Sequence, residues 1–399
     1  MPQLAVQPWM IAARRVMDTL EAARPGCARY VGGCVRNALL GETVSDIDIA
    51  TQLVPDEVTK VMLEAGIAVH PTGIEHGTLT VVADHQPFEV TTLRRDVETD
   101  GRRAVVAFTE NWVEDAQRRD FRINALYADH NGNVFDPTGG GLDDLAARRI
   151  VFVGNPETRL REDYLRILRF FRFYAWYGRE APDAAGLAAC AKLRAGLDGI
   201  SVERIWMETK KLCAAPQPIP ALEAMESSGV LAQLFPEACG LDLLRSLVEL
   251  ETAQGSTPDA VLRFLSLVSK DAAATRAIAN RLRLSNGERN RIVWAVEDET
   301  PMPAEMTPHD VRAAVYRVGV QVVTDRARLA LAETGDPAWA DVIQFAESWA
   351  KPAMPLTGAD LIARGYAPGP ALGEALRKAE NAWIGSDFTL NADELFRSL

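Results

Sequence analysis

The sequence predicts an α+β protein with a small, mostly antiparallel sheet in roughly the first 150 residues and helices thereafter. Three observations carry this prediction. Short runs rich in β-branched residues recur between residues 28 and 93 and are separated by Gly and Pro. Asn131-Gly132-Asn133 has the composition of a hairpin turn and lies between two short apolar runs. After Asn155-Pro156 the strand patterns stop, and helical periodicity continues to the end of the chain.

Helix and strand patterns alternate in the first part. Amphipathic spacing predicts a helix over residues 9–24, and a short helix is predicted over 36–40. Pro55 stands at the first position of a further predicted helix, 55–65. The predicted strands are 28–31, 46–51, 68–71, 78–83, 88–93, 125–128 and 134–135.

Proline-rich breaks divide the helical remainder. Asn155 is predicted to cap a first helix that begins at Pro156. The breaks that follow lie near residues 216, 257, 301 and 352. The predicted segments of the chain are 1–150, 151–215, 216–350 and 351–399.

The composition is that of an ordinary globular protein. Of 399 residues, 48% are hydrophobic and 25% are charged, and this length predicts about two to four domains. No apolar run approaches the ~20 residues that span a bilayer, and residues 1–15 lack a signal-peptide pattern, so no membrane partner is expected. The five cysteines are scattered without CxxC spacing, which predicts a reducing, cytoplasmic location without a structural zinc or disulfide framework.

The charge distribution points to phosphate binding in a cleft. The net charge of −12 taken alone speaks against a nucleic-acid partner. Arginines are nevertheless clustered in two stretches, residues 94–122 and 159–172. An acidic body with local arginine tracts fits the binding of phosphates at one site better than it fits a broadly basic surface.

The most informative motif combines Gly32-Gly33, Arg36 and the pair Asp46 and Asp48. Because residues 46–51 are predicted as a strand, both carboxylates should point to the same face. Such a pair would hold divalent metal ions, and the glycine turn would let backbone N–H groups approach phosphate. The motif therefore indicates nucleotidyl transfer, with Arg36 near the phosphates. An isolated Asp-x-Asp pair, by contrast, is typical of a surface turn or cap.

A second motif runs from Arg118 to Asn124. On a predicted helix, Asp120 and Asn124 would be neighbours at spacing i,i+4. Arg119 is a candidate for the triphosphate and Asn124 for a ribose hydroxyl. Asp120 would either add a third carboxylate to the metal site or orient an arginine. The alternative is a charged helix face with a local ion pair.

A third motif contains Glu162-Asp163, Arg166, Arg169 and Arg172. An Asp acceptor beside an Arg donor complements the amino group and ring nitrogen of cytosine and adenine. Uracil and guanine present the reverse pattern, so the pair Asp163 and Arg166, predicted as neighbours on one helix, would select C and A without a template. Arg169 and Arg172 would then face phosphate or the primer. The alternative is a surface ion pair of little consequence.

Together these motifs resemble the class II CCA-adding tRNA nucleotidyltransferases of the bacterial tRNA nucleotidyltransferase/poly(A) polymerase family. Five signatures occur in family order over roughly residues 30–212. They are Gly32-Gly33-x-x-Arg36 with Asp46-x-Asp48, Arg118-Arg119-Asp120-Phe121-x-x-Asn124-Ala125, Asp136-Pro137 with Gly139-Gly140 and Asp143-Asp144-Leu145, Glu162-Asp163-x-x-Arg166, and Glu203-Arg204-x-x-x-Glu208. The sequence departs from the family once, since Arg122 stands where a small hydroxyl residue is usual.

The resemblance implies a polymerase-β-like nucleotidyltransferase head at 1–150, a nucleotide-selecting helical neck at 151–215, and an RNA-binding helical body and tail at 216–350 and 351–399. It implies that C, C and A are added to tRNA 3′ ends from CTP and ATP with Mg2+, with release of pyrophosphate. Asp46 and Asp48 would bind metal and, with Asp120, form the catalytic set. The implied nucleotide-binding residues are Gly33, Arg36, Arg119, Asn124, Asp163, Arg166, Arg169 and Arg172.

Alternatives stay open at this level. A poly(A) polymerase or an A-only-adding enzyme of the same family would share the base-selecting pair, and a non-catalytic RNA-binding protein would not need the intact aspartates. Residues 94–115 are expected to form a long flexible loop, which in the family accompanies addition of the terminal A. Glu89 is a candidate extra carboxylate near the metals. The sequence does not specify an oligomeric state.

Overall fold

The structure is a computed structural model that describes residues 2–100, 103–268 and 271–399. The chain divides into two compact units, Met1–Pro236 and Glu237–Leu399. Among the described residues, every strand lies in the first unit and the second is helical. The predicted α+β class is therefore confirmed, whereas the finer division at residues 150, 215 and 350 stays a prediction.

The strands of the first unit form one large sheet and one separate hairpin. Seven strands are ordered β3-β4-β5-β2-β1-β8-β9, and β6 pairs with β7. All neighbours are antiparallel except β2 and β5, so the prediction of a mostly antiparallel sheet is confirmed. The strands are β1 (Ala28–Val31), β2 (Asp48–Thr51), β3 (Ala68–Gly73), β4 (Thr78–Ala83), β5 (Gln86–Thr92), β6 (Arg94–Asp100), β7 (Arg103–Phe108), β8 (Tyr127–Ala128) and β9 (Val134–Phe135).

The helices of the first unit flank this sheet and continue beyond it. Asn155 caps α7 as predicted, since its side chain accepts a hydrogen bond from the N–H of Thr158 at 3.0 Å. The predicted helix 9–24 is interrupted at Ala13 and forms two helices. The helices are α1 (Pro8–Ala12), α2 (Arg14–Ala23), α3 (Gly33–Leu40), α4 (Pro55–Glu64), α5 (Trp112–Gln117), α6 (Gly141–Ala146), α7 (Pro156–Glu162), α8 (Leu165–Tyr177), α9 (Ala184–Leu193), α10 (Val202–Cys213), α11 (Pro218–Ser227) and α12 (Val230–Leu234), with 3₁₀ turns at Ile74–His76, Arg122–Asn124 and Arg194–Gly199.

The predicted flexible loop over residues 94–115 is largely regular. β6 and β7 pair in antiparallel register, and α5 follows them. The segment is therefore a hairpin followed by a helix, and its flexibility and its link to addition of the terminal A stay predictions. Gly101 and Arg102, which the sequence places at the tip, lie outside the described residues.

Aromatic side chains join α8 to the segments around the sheet. Phe121 lies 5.2 Å from Phe173 and 4.8 Å from Phe152, measured between ring centroids. Phe152 stacks on Phe170 at 5.5 Å. Phe121, Phe152 and Phe170 are fully buried, so this cluster fixes α8 beside the chain that follows α5.

The second unit is a helical bundle with two apolar clusters. One cluster lies among α17, α18 and α19 and includes Val323 and Trp339. The other includes Leu361 and Trp383. In the described part of the chain, every helix is too short or too polar to cross a lipid bilayer. The helices are α13 (Asp242–Gln254), α14 (Ala260–Leu267), α15 (Ala272–Arg281), α16 (Asn286–Glu297), α17 (Pro308–Val318), α18 (Val320–Thr334), α19 (Ala338–Ser348), α20 (Gly358–Ala363), α21 (Pro370–Gly385) and α22 (Ala392–Arg397).

Candidate active site

Three carboxylates line one large cavity in the first unit. The cavity has a volume of about 1040 Å3, and its walls include Asp46, Asp48, Glu89 and Arg169. Asp48 stands directly opposite Glu89 in the parallel pair of β2 and β5. The register of the sheet therefore brings the candidate extra carboxylate beside the predicted metal pair.

The local structure of Asp46 differs from the prediction. β2 begins at Asp48, and Asp46 belongs to the coil before it, where Ser45 donates a hydrogen bond to its carboxylate at 3.0 Å. On one side β1 ends at Val31, so residues 46 and 47 have no partner in that strand. Strand alternation therefore does not align the two aspartates, although both line the cavity.

The cavity suits a divalent cation. Burial, followed by the charge of Glu89, raises the pKa of Asp48 to about 6, and Asp46 adds to this repulsion while Arg119 opposes it. A bound cation would relieve the repulsion among these carboxylates. In the described ranges no three His, Cys, Asp or Glu side chains are arranged as a ready-made metal site, so the cavity offers Asp46 and Asp48 as the candidate pair, with Glu89 nearby.

The glycine turn before α3 uses Gly32 rather than Gly33 for its special backbone geometry. Gly32 has φ 73° and ψ −121°, a conformation that side chains disfavour. Its N–H donates to the carbonyl of Leu126 at 3.1 Å and therefore already has a hydrogen-bond partner within the protein. A β-carbon on Gly32 would lie 3.7 Å from Arg119 Nη1, which places this guanidinium against the turn.

Arg36 lies buried behind the turn. Its guanidinium donates to Asn124 Oδ1, to Tyr177 Oη at 2.8 Å and to Asn37 Oδ1 at 2.9 Å. It also lies over the Tyr177 ring, 4.1 Å from the centroid. Burial lowers the pKa of Arg36, and Tyr177 partly restores it. Tyr177 is a contact that the motifs did not signal.

The chain around Asp120 is not helical, which corrects the prediction of an i,i+4 helix pair. α5 ends at Gln117, and residues 122–124 form a single 3₁₀ turn. Asn124 nevertheless donates to Asp120 at 3.0 Å across that turn. Arg169 donates to the second oxygen of Asp120 at 2.8 Å. Of the two predicted roles for Asp120, the observed contacts are those of a carboxylate that orients an arginine.

The protonation of Asp120 follows from these partners. Burial alone raises the pKa of the carboxyl group. The Arg169 guanidinium, the Asn124 amide and the backbone N–H of Phe121 outweigh that effect and lower the pKa to about 2. Asp120 is therefore a permanent anion at neutral pH.

Arg119 is held by a second buried acid. Its guanidinium donates to Asp115 at 3.0 Å and to the Tyr127 hydroxyl at 3.1 Å. Tyr127 itself donates to Asp115 at 2.7 Å. Burial raises the pKa of Asp115, but Arg119 and Arg118 lower it to about 2. Asp115 is a second carboxylate that sequence reasoning missed, although it precedes the arginine motif by only three residues.

Asp163 and Arg166 do not pair with each other through their side chains. Asp163 follows the last residue of α7 and has an extended conformation. The prediction that Asp163 and Arg166 are neighbours on one continuous helix is therefore wrong. Arg204 donates to Asp163 Oδ2 at 2.7 Å, and Asp163 Oδ1 caps the N–H of Leu165 at 3.1 Å. Arg166 pairs instead with Glu162.

Arg172 contacts a carboxylate of the neighbouring helix. Its guanidinium donates to Glu208 on α10, and the same carboxylate lies 3.9 Å from Arg169. Glu208 thus links two of the predicted nucleotide-binding arginines.

Arg122 lies away from these residues. Its guanidinium is 3.5 Å from Asp144 and lies against Gly140, and both of these residues belong to the third signature.

The fold and the site define a nucleotidyltransferase. Nucleotidyl transfer needs acidic oxygens that can hold a metal ion and cations that can neutralise a triphosphate, and the site contains residues of both kinds. A family model described as the poly A polymerase head domain matches residues 28–151. A second model, described as the probable RNA- and SrmB-binding site of polymerase A, matches residues 183–241.

Known proteins of one kind resemble almost the whole chain. The mitochondrial CCA tRNA nucleotidyltransferase 1 of Danio rerio is 33% identical over 384 residues, which cover 93% of this chain and 86% of that protein. The CCA-adding enzyme of Lacticaseibacillus paracasei is 33% identical, with 94% and 92% covered. A crystal structure of the Bacillus stearothermophilus CCA-adding enzyme in complex with CTP matches with a TM-score of 0.75 at 27% identity, covering 96% and 94%. The chain belongs to the family of class II CCA-adding enzymes.

Proposed function

We propose that this protein adds C, C and A to the 3′ end of tRNA, from CTP and ATP, with release of pyrophosphate. The observation that most strongly supports this proposal is the cavity in which Asp46, Asp48 and Glu89 lie together with Arg169. Membership of the CCA-adding enzyme family supports tRNA, CTP and ATP as the substrates. Intact carboxylates are not needed by a non-catalytic RNA-binding protein, so they favour the enzyme.

Asp46 and Asp48 are the proposed metal ligands, and Mg2+ is the proposed metal. When bound, divalent cations supply charge that activates the primer hydroxyl and neutralises the triphosphate. The protein's own part is to hold two carboxylate oxygens at the cavity wall. Replacing Asp46 by Ala should abolish nucleotide transfer and leave tRNA affinity nearly unchanged, and an equal loss of tRNA binding would contradict the metal role.

The arginines are proposed to bind the incoming nucleotide in positions that the protein sets in advance. Arg119 is held by Asp115, and Arg36 is held by Asn124 and Tyr177. Such preorganised charges cost little reorganisation when phosphate arrives. Asn124 uses one amide hydrogen on Asp120, which leaves the other for a ribose hydroxyl. Gly33, Arg169 and Arg172 complete the proposed nucleotide contacts.

Asp163 and Arg166 are proposed to select the base. Arg204 and the N–H of Leu165 hold the Asp163 carboxylate, which retains lone pairs to accept from an exocyclic amino group. Arg166 donates to Glu162 and to the carbonyls of Arg159 and Arg118, which leaves two of its five N–H groups for a ring nitrogen. This arrangement would accept C and A and reject U and G.

A nucleotide-incorporation assay tests the proposal. The protein would be incubated with tRNA that ends before, within and after CCA, together with each labelled nucleotide in turn. We expect CTP and then ATP to be incorporated, and synthesis to stop after A. Incorporation of ATP alone would indicate an A-only-adding enzyme, and long A tracts would indicate a poly(A) polymerase. A protein that binds tRNA but incorporates nothing would be the non-catalytic alternative.

The remaining proposals concern domains and location. We assign catalysis to 1–150, nucleotide selection to 151–215, and tRNA binding to 216–350 and 351–399. The second compact unit, Glu237–Leu399, contains most of the proposed tRNA-binding segments. A cytoplasmic location is supported by five cysteines that form no disulfide. Cell fractionation with detection of the tagged protein tests the location.

A further inference from the structure

Lys211 is a cation in the wall of the carboxylate cavity that none of the roles above uses. It stands in the last turn of α10, and it lines the cavity together with Asp46, Asp48 and Glu89. Its side chain is exposed. Within the described residues, Lys211 forms no ion pair with any carboxylate.

The neighbouring arginines are in a different situation. Arg169 pairs with Asp120, Arg172 with Glu208, and Arg166 with Glu162. Each of these charges is already balanced by a carboxylate of the protein. The positive charge of Lys211 is balanced by none, so it is available to a ligand that enters the cavity.

The backbone of Lys211 is fixed although its side chain is free. The indole N–H of Trp176 on α8 donates to the carbonyl oxygen of Lys211 at 2.7 Å. This contact ties the last turn of α10 to the helix that carries the base-selecting and phosphate-binding arginines. The ammonium group is therefore presented from a rigid position, on a flexible stem that adapts to a phosphate.

The cavity also has an apolar wall, formed by Pro8, Trp9 and Ala12 at the start of the chain. Trp9 is half-buried, and its ring packs edge to face against Tyr30 with 4.9 Å between centroids. A volume of about 1040 Å3 is at the upper end of the range for sites of small ligands. Apolar surface on one side and a free cation on another suit a nucleotide at the end of an RNA strand.

We propose that this cavity receives the 3′-terminal nucleotide of the tRNA and that Lys211 binds the phosphodiester preceding it. This inference rests on the proposed function. Arg36 and Arg119 are absent from the wall of this cavity, and Arg169, which does line it, is already paired with Asp120, so Lys211 is the cation of the wall that remains for the primer strand. Lys211 is thus a binding residue for the primer strand, and the carboxylates face the strand end that is extended.

The test is the variant Lys211→Met, with Lys210→Met as the matched control. Lys210 is the preceding lysine of the same helix, and its ammonium lies 5.6 Å from the centre of the Trp206 ring. We expect Lys211→Met to raise the KM for tRNA about tenfold, the low end for a hydrogen bond to a charged group, with the KM for CTP unchanged. Lys211→Arg should restore the wild-type KM for tRNA.

The salt dependence of tRNA affinity distinguishes a phosphate contact from a purely structural role of Lys211, because only a phosphate contact changes it. The slope of log affinity against log salt, measured with tRNA lacking CCA, should become shallower by about 0.7 in Lys211→Met, as expected for one phosphate contact with a single strand. An unchanged slope and KM for tRNA would overturn the proposal, as would a rise in the KM for CTP alone. If wild-type protein incorporates no nucleotide, the proposed function fails, whereas the slope still tests whether Lys211 binds tRNA phosphate.

Discussion

Gly32 carries the backbone conformation on which the turn between β1 and α3 depends. Its φ of 73° and ψ of −121° would strain any residue with a β-carbon. Its N–H is hydrogen-bonded to the carbonyl of Leu126, and the Arg119 guanidinium lies against this glycine. Gly33 is the first residue of α3, and a β-carbon there would meet only Arg36 Nη2 at 3.7 Å. The two adjacent glycines therefore have different physical requirements.

Substituting each glycine by Ala separates these requirements. We expect Gly32→Ala to lower the free energy of unfolding by about 1–3 kcal/mol, because Ala is strained at this φ and ψ. Gly33→Ala should change it by less than about 1 kcal/mol, since Ala favours the helix and meets no close contact. Urea unfolding of both variants checks this, and equal losses would contradict the assignment of the turn to Gly32.

A second residue-scale prediction concerns the choice of base. Asp163→Ala should raise misincorporation of UTP and GTP about tenfold or more relative to CTP, because the acceptor that rejects them is gone. Glu157→Ala on α7 is the control, since Glu157 pairs with Lys192 and Arg161 away from the proposed base site. Competition assays with mixed nucleotides measure the ratio. Undiminished rejection of UTP and GTP in Asp163→Ala would refute the pairing model.

At the scale of elements, one polar chain joins four separate segments. It runs from Arg36 on α3 to Asn124 and Asp120 in the turn after α5, and then to Arg169 on α8. Glu208 on α10 continues it, since it contacts both Arg169 and Arg172. Buried networks of this kind fix the relative positions of the elements they connect. The arginines proposed to bind nucleotide are thus set by helix packing.

Glu208→Gln tests this positioning role. Losing the charge that holds Arg172 should raise the KM for CTP and for ATP by a similar factor, about tenfold, with a smaller change in kcat. Glu226→Gln on α11 is the control, because Glu226 is an exposed carboxylate of another helix. Steady-state kinetics with both nucleotides give the comparison. A loss confined to kcat would point to direct participation in the transfer step.

At the scale of the whole molecule, buried acids make stability depend on pH. Asp115 and Asp120 have pKa values of about 2, below the ordinary 3.8. Their contribution to the free energy of unfolding is complete above about pH 4. It is lost as the pH falls toward 2, because in this range protons bind the two carboxylates more readily in the unfolded chain than in the folded protein. Each contributes on the order of 2 kcal/mol at neutral pH by this linkage.

Asp115→Asn tests the linkage. The variant should be less stable than wild type at pH 6, because Arg118 and Arg119 lose their charged partner. Between pH 4 and pH 2 its stability should fall less steeply than that of the wild-type protein. Urea unfolding across this pH range measures both slopes, and identical slopes would contradict the depressed pKa of Asp115.

The α+β order of elements, the helix start at Pro156, the proximity of Asp46 to Asp48, and the family could all be predicted from the sequence, because they depend on local pattern and fixed spacing. The sequence did not determine the partners of the arginines. Helical spacing suggested Asp163 with Arg166, yet the helix breaks between them, and Asp163 pairs with Arg204 whereas Arg166 pairs with Glu162. Only the tertiary structure joined Asp120 to Arg169 and presented Lys211 to the cavity. When helices pack, a buried charged side chain forms its ion pair with the group that lies next to it in space, even if the two residues are far apart in the sequence.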